Sequence, residues 1–320
     1  MKTLLLHFQK IVIFICFFIT ANVNGQIYLV EEWVQTSGMP DTIDYSASKV
    51  DGSGNIYVTT NTISATEKAN ILTTKYNSSG VVQWEVEKDN ADENDYGSAI
   101  EVDGSGNVYV GAATWVDGTN KYDYLVIKYN SSGTQQWTAT YNGTGSFYDI
   151  PTDIYVDGSG NVYVTGYSYG STTLGDFCTI KYNSSGTAQW TSRYDYASDQ
   201  DAAAIIRNGP GSTVVVIGAS ENSPGDWDFA AVQYNASTGA QVNTNRNSAS
   251  GSGFDQVYSA DVDASGNIYI SGRAAVVDEG FNMRTVKLEP DLDLVWAKNH
   301  DHAELDDEAH GVIVDLDDNV

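Results

Sequence analysis

Six aromatic residues, Trp115, Tyr122, Tyr167, Tyr169, Trp227 and Phe281, stand in short variable stretches between otherwise repetitive segments. Rings carried on loops stack on sugar faces or grip peptide side chains, which makes these six the candidate ligand-binding residues. The competing expectation is that they pack between neighbouring structural units, as large aromatics usually do. Acidic residues recur as well. Asp95, Asp149, Asp255 and Asp307 each precede a strand-ending Val by seven positions, and Asp123, Asp176 and Asp228 open another segment, with Asn70 and Asn282 in the same place. A ring of carboxylates suits Ca²⁺, a hard cation that takes oxygen ligands. The same residue in every unit is better explained by turn caps that accept backbone N–H bonds.

Other constellations are weaker. Asp315, Asp317 and Asn319 offer oxygen at alternate positions and are the candidate Ca²⁺ ligands, although they do not complete a Ca²⁺-binding loop with its terminal Glu. His300, His302 and His310 cluster near the carboxy terminus, but Tyr141 and Tyr194 hold the place of His300 in other units, which points to a variable strand-end position. Asn77, Asn130, Asn142, Asn183 and Asn235 begin N-x-[ST] sequons, and turn chemistry explains those in Asn-Ser-Ser-Gly. Neither a G-x-S-x-G elbow, nor an H-E-x-x-H pair, nor a phosphate-cradling Gly loop is present, so no catalytic residue is assigned.

The elements that position these residues come from one repeat. VDGSGNIYV at Val50 to Val58 returns at Val102 to Val110, at Val156 to Val164 and, as VDASGNIYI, at Val262 to Ile270. A second anchor, KYNSSG followed by QW, ends at Trp84, Trp137 and Trp190, with weaker copies ending at Trp296 and Trp33. Each unit of about 53 residues reads as four short strands, for example Ser98 to Val102, Val108 to Ala113, Asp123 to Tyr129 and Gln136 to Tyr141. Four antiparallel strands per repeat of this length make the blade of an all-β propeller. The recurrent Trp residues are then packing residues. The turns between first and second and between third and fourth strands share one face, and the variable loops share the other, where specificity is usually placed.

The D-x-x-G-N-[VI]-Y-[VI] hairpin, the D-[FY]-x-x-x-K-Y strand and the trailing G-x-x-x-W resemble the bacterial seven-bladed β-propeller (SBBP) repeat of exported surface proteins. The resemblance runs from Tyr28 to Val320 and implies fold and export, without catalytic residues. Two units depart from it. The fourth lacks the Asp-Gly-Asn core and the Trp, and in the fifth Lys287-Leu288-Glu289 replaces Lys-Tyr-Asn, so distortion is expected there.

Residues 1–25 have the order of a secretory signal: Lys2 and Lys10, the apolar run Ile11 to Ile19, and a small-residue end at Gly25. Cleavage removes Cys16, leaves Cys178 alone without a disulfide framework, and leaves no membrane span. The Trp33 strand is expected to close the propeller, and five full blades plus the start of a sixth suggest a fragment of a longer, six- or seven-bladed protein. Composition agrees with an all-β chain: 30 Gly and 21 Tyr stand against 12 Leu. A formal charge of −26 excludes nucleic acid as a default partner. The reading is a secreted or cell-surface binding and scaffold module with a protein or carbohydrate ligand on the variable face. No cofactor is implied beyond possible Ca²⁺. The alternatives are a polysaccharide-active hydrolase or lyase using loop-face carboxylates, and a Ca²⁺-stabilised adhesin.

Overall fold

The computed structural model describes residues 47–315 except 64–67, 90–93, 117–120, 146, 172–173, 197–200, 210, 249–252, 277–279 and 302–305. It also describes the backbone of Ile13–Ala21 (β1) and Ile27–Thr36 (β2), which pair antiparallel as a separate two-stranded sheet. Trp33 lies in β2, whose hydrogen-bonded partner is β1. Most of the expected signal segment falls outside the described residues.

Twenty further strands form five four-stranded antiparallel meanders. The first blade is β3 (Ala47–Val50), β4 (Ile56–Ile63), β5 (Ala69–Tyr76) and β6 (Val82–Lys88). The second is β7 (Asp95–Val102), β8 (Val108–Val116), β9 (Lys121–Tyr129) and β10 (Gln135–Tyr141). The third comprises β11 (Asp149–Val156), β12 (Val162–Tyr169), β13 (Gly175–Tyr182) and β14 (Ala188–Tyr194). In the fourth stand β15 (Asp201–Asn208), β16 (Thr213–Ser223), β17 (Asp226–Asn235) and β18 (Gln241–Asn247). The fifth is β19 (Gln256–Val262), β20 (Ile268–Val276), β21 (Gly280–Leu288) and β22 (Leu294–His300). No helix occurs among the described residues.

Burial along each strand follows from its place in the blade. The second strand lies between two neighbouring blades and is apolar on both faces: Val108 to Thr114 are all buried. The fourth strand is the outer edge and alternates exposed with half-buried residues. The first strands of successive blades pack on one another and enclose the central channel. In blades two to five the first strand carries a bulge near its middle, at Ser98, Thr152, Ala204 and Tyr258, that re-aims the channel-facing residues beyond it.

The hairpin motif is explained by local chemistry. Asp103 accepts the N–H of Ser105 and of Asn107 (both 2.9 Å), the Asn107 amide (2.7 Å) and the Tyr109 hydroxyl (3.0 Å). Asp51, Asp157 and Asp263 repeat this set. Burial opposes charge on Asp103, yet these hydrogen bonds together hold its carboxyl below the usual range. Where the fourth unit lacks the motif, Gly209 N–H still bonds Thr213 O at 3.0 Å and closes the turn. Blades four and five therefore keep the regular four-stranded form, against the expected distortion, because backbone pairing tolerates a changed turn.

In blades one to three the Trp of the fourth strand joins its blade to the next. Trp137 Nε1 donates to Ser184 O at 3.1 Å, and its indole lies 6.4 Å from both Tyr109 in its own blade and Tyr182 in the following one. Trp84 and Trp190 repeat this contact, as expected of packing residues.

Candidate functional site on the variable loop face

The starts of the first and third strands, together with the loops before them, build this face. Trp115 and Tyr122 are registered opposite one another at the β8–β9 end and meet edge to face at 4.8 Å. Tyr122 then contacts Tyr96 at 5.6 Å and stacks across the seam between blades two and three on Tyr148, at 5.9 Å and 29°. On the third blade Tyr167 meets Tyr169 at 5.1 Å, and Phe147 joins them at 5.1 Å from Tyr169. Seven rings thus lie over the second and third blades in two groups, four around Tyr122 and three around Tyr169, with Phe147 58% and Tyr148 42% exposed.

The six expected ligand-binding residues divide accordingly. Trp115, Tyr122, Tyr167 and Tyr169 belong to these groups, all of them half-buried. Trp227 sits apart on blade four against Phe254 at 5.5 Å, and Phe281 on blade five lies under the Arg273 guanidinium at 4.4 Å. Phe147 and Tyr148 escaped the sequence reading because they precede a first strand rather than follow a second. The signal available was an aromatic pair immediately before Asp149 in a stretch of Gly, Ser, Thr and Asn.

Most of the repeated acids are buried, and Asp307 is half-buried. Asp95, Asp149 and Asp255 are at most 3% exposed, and Asp123, Asp176 and Asp228 at most 7%. Two accept backbone N–H bonds: Asp149 takes that of Gly143 in the preceding loop at 2.6 Å, and Asp255 that of Ala275 on β20 at 2.9 Å. Others are ion-paired. Arg193 reaches Asp176 at 2.5 Å and Ser168 Oγ at 2.7 Å, while Arg246 reaches Asp228 at 3.0 Å. Asp123 has no such arginine. Burial first, then the charge of Asp149, pushes its carboxyl up to about 6, with Lys121 opposing. Burial also raises Asp149, against hydrogen bonds from Ser168 and Gly143.

The channel is a second concavity, of about 830 Å³, on the hairpin side of the axis. Its charged residues are Lys49, Glu101, Asp153, Arg207, Asp261 and Asp263. Lys49 pairs with Glu101 and Arg207 with Asp153, each at 2.7 Å, and Arg207 Nε also donates to Ala260 O at 3.1 Å. The positions just before the last residue of each first strand, Lys49, Glu101, Tyr155, Arg207 and Asp261, carry mixed charge at one repeat position. That was a legible signal which the sequence reading passed over.

Among the described residues no group of three or more His, Cys, Asp or Glu gathers to hold a metal. Asp315 is exposed, and Asp317 and Asn319 lie outside the described residues. His310 stacks on Tyr258 at 4.7 Å and pairs with Glu308 at 3.1 Å; His300 is exposed, and His302 lies outside the described residues.

The solved structures similar to this chain share its architecture at low identity. A protein of unknown function from Dyadobacter fermentans DSM 18053 matches 82% of this chain and 83% of its own at 8% identity, with a TM-score of 0.52. The Hadza microbial sialidase Hz136 matches 81% of this chain and 59% of its own at 11% identity, with a TM-score of 0.53. A PL25 ulvan lyase covers 78% and 69% at 14% identity and a TM-score of 0.47. No curated protein sequence matches this chain. Residues 136–171, from the β10 Trp through the third-blade hairpin, match the SBBP beta-propeller repeat, and the structure shows these residues as parts of two among five like-built blades of a β-propeller.

Proposed function

We propose that the protein is an exported β-propeller repeat module that binds a protein or carbohydrate ligand on its variable loop face and performs no catalysis. The observation that carries this reading is the seven rings in two groups, around Tyr122 and around Tyr169, displayed on two adjoining blades with Phe147 and Tyr148 open to solvent. Rings on a rigid scaffold lose little conformational freedom on binding. Binding is favoured over polysaccharide cleavage because the repeated acids of the two ring-bearing blades, Asp95, Asp123, Asp149 and Asp176, are buried, where a glycosidic bond needs two reachable carboxyl groups.

The test is titration of the protein with a panel of neutral polysaccharides and peptides, following tyrosine and tryptophan fluorescence. Tyr148→Ala and Phe147→Ala should each weaken binding about tenfold or more without lowering the melting temperature, since both side chains are exposed. Undiminished affinity in both variants would refute the placement. Release of new reducing ends or unsaturated sugars would refute the absence of catalysis. Export is tested by amino-terminal sequencing of the mature protein, which should begin near Gln26.

A further inference from the structure

The loop-face rings of blade five gather around a guanidinium of the chain itself. Arg273 lies 4.4 Å from the Phe281 ring and 6.0 Å from those of Phe254 and Tyr258. In the same way, Arg246 of blade four lies 3.6 Å over Tyr196. A cation is attracted to the electron-rich face of an aromatic ring, and this protein uses that attraction at two places on one face.

Blade three has the rings without the cation. Tyr148 stands immediately before Asp149 as Phe254 stands before Asp255, but the register position of Arg273, opposite Gln256, is filled by Tyr167, opposite Ile150. Among the described residues no lysine or arginine lies over the exposed rings of Phe147 and Tyr148. Their loop is fixed in place. Gly145 N–H donates to Tyr169 O at 3.0 Å, Gly143 N–H donates to Asp149 at 2.6 Å, and a Cβ on Gly145 would stand 2.7 Å from the backbone oxygens of Tyr169 and Gly170. Charge around the loop favours a cation from outside. Residues 142–148 carry no charge, while the corresponding inter-blade segments on either side, 89–95 and 195–201, hold seven acids and no base. Arg193 is paired with Asp176, and Lys121 acts on the charge of Asp123. The whole chain stands at −26, so a basic partner is drawn in from a distance.

We infer that the ligand of this aromatic face is a basic protein segment, whose arginine or lysine side chains lie on Phe147 and Tyr148 as Arg273 lies on Phe281. The inference rests on the loop face being a ligand site and narrows its ligand from protein or carbohydrate to a cationic peptide. The acids supply long-range attraction, and the ring faces supply the short-range contact. Arginine suits the contact best, because its planar and weakly hydrated guanidinium stacks on a ring.

The experiment titrates the intact chain with a Gly/Ser peptide carrying several arginines, with its citrulline counterpart, which keeps the shape and loses the charge, and with cellohexaose as a neutral sugar chain. Tyrosine and tryptophan fluorescence reports binding. The arginine peptide should bind about tenfold or more tightly than the citrulline peptide, and should weaken as NaCl is raised. Joint Phe147→Leu and Tyr148→Leu keeps apolar cover and removes the ring faces; it should weaken arginine binding about fivefold or more, with Tyr148→Leu alone showing part of that loss. Both side chains are exposed, so the melting temperature should hold. Equal binding of the two peptides overturns the inference, and so does an arginine preference that survives the double variant, which would show bulk charge alone at work. Ring-dependent binding of cellohexaose without an arginine preference overturns it while leaving the loop face a ligand site. Absence of any ring-dependent binding removes both readings.

Discussion

Asn243 and Leu292 divide between them a space that three other seams fill with a tryptophan and a glycine. Asn243 stands opposite Gln233 where Trp190 stands opposite Lys181, and its amide donates to Asp291 O at 2.8 Å. Leu292 holds the turn position of Gly133, Gly186 and Gly239, with φ of 70° against their 72° to 81°. A Cβ on those glycines would lie 2.6 to 2.8 Å from Trp84, Trp137 or Trp190. Without the indole, a side chain fits, and Leu292 joins the fifth-blade core at 2% exposure. Left-handed backbone at a leucine costs about 1–2 kcal/mol, which burial of the side chain, worth roughly 1.5–3 kcal/mol, offsets.

This exchange predicts a non-additive pair. Asn243→Trp alone should destabilise by about 2–3 kcal/mol through overpacking, and Leu292→Gly alone by a similar amount through the cavity left. The double variant rebuilds the seam used elsewhere and should lose clearly less than the sum of the two. Urea unfolding of the four proteins measures the coupling, and strictly additive losses would contradict it.

The converse holds at a standard seam. Gly186→Ala should cost roughly 2–3 kcal/mol, because φ is 80° and the new methyl meets the Trp137 ring. In a Trp137→Ala background the same change should cost only the backbone part, about 1 kcal/mol. Equal penalties in both backgrounds would show that the ring is not what excludes the methyl.

The hairpin aspartates set the acid limb of stability. Burial raises Asp103 and Asp157, but hydrogen bonds from the Asn side chain, two backbone N–H groups and Tyr outweigh it and hold both below the ordinary carboxylate value. A depressed folded pKa means that the contribution is fully present above the unfolded value of about 4 and is lost as pH falls through the lower folded one. Asp157→Asn should therefore destabilise the protein at about pH 6 and much less near pH 2.5. A pH-independent difference would assign the loss to packing instead.

Cys178 should be inert in the folded protein. It is fully buried among Tyr124, Tyr182 and Ile180, and burial, as the largest cause, pushes its thiol up to about 11. The thiolate is the reactive form, so a disulfide reagent at neutral pH should label it only when blade three opens. Labelling at the rate of a free thiol, without denaturant, would show that the second seam opens readily.

Much of this was legible before any coordinates. The Asp-Gly-Ser-Gly-Asn and Asn-Ser-Ser-Gly turns are complete within a few residues: Asn183 Oδ1 accepts the N–H of Ser185 and of Thr187, so residue types at those spacings specify the hairpins directly. The constant spacing of Trp84, Trp137 and Trp190 likewise marked one packing position per blade. Tertiary structure alone decided what crosses a seam. Trp137 meets Ser184 from 47 residues away, and Tyr122 stacks on Tyr148 although they belong to different blades. Such contacts depend on how one sheet leans on the next. Strand periodicity states that a side chain is turned inward, but the identity of its neighbour, and whether a buried carboxyl meets an arginine or another oxygen, is set by the stacking of separate repeats.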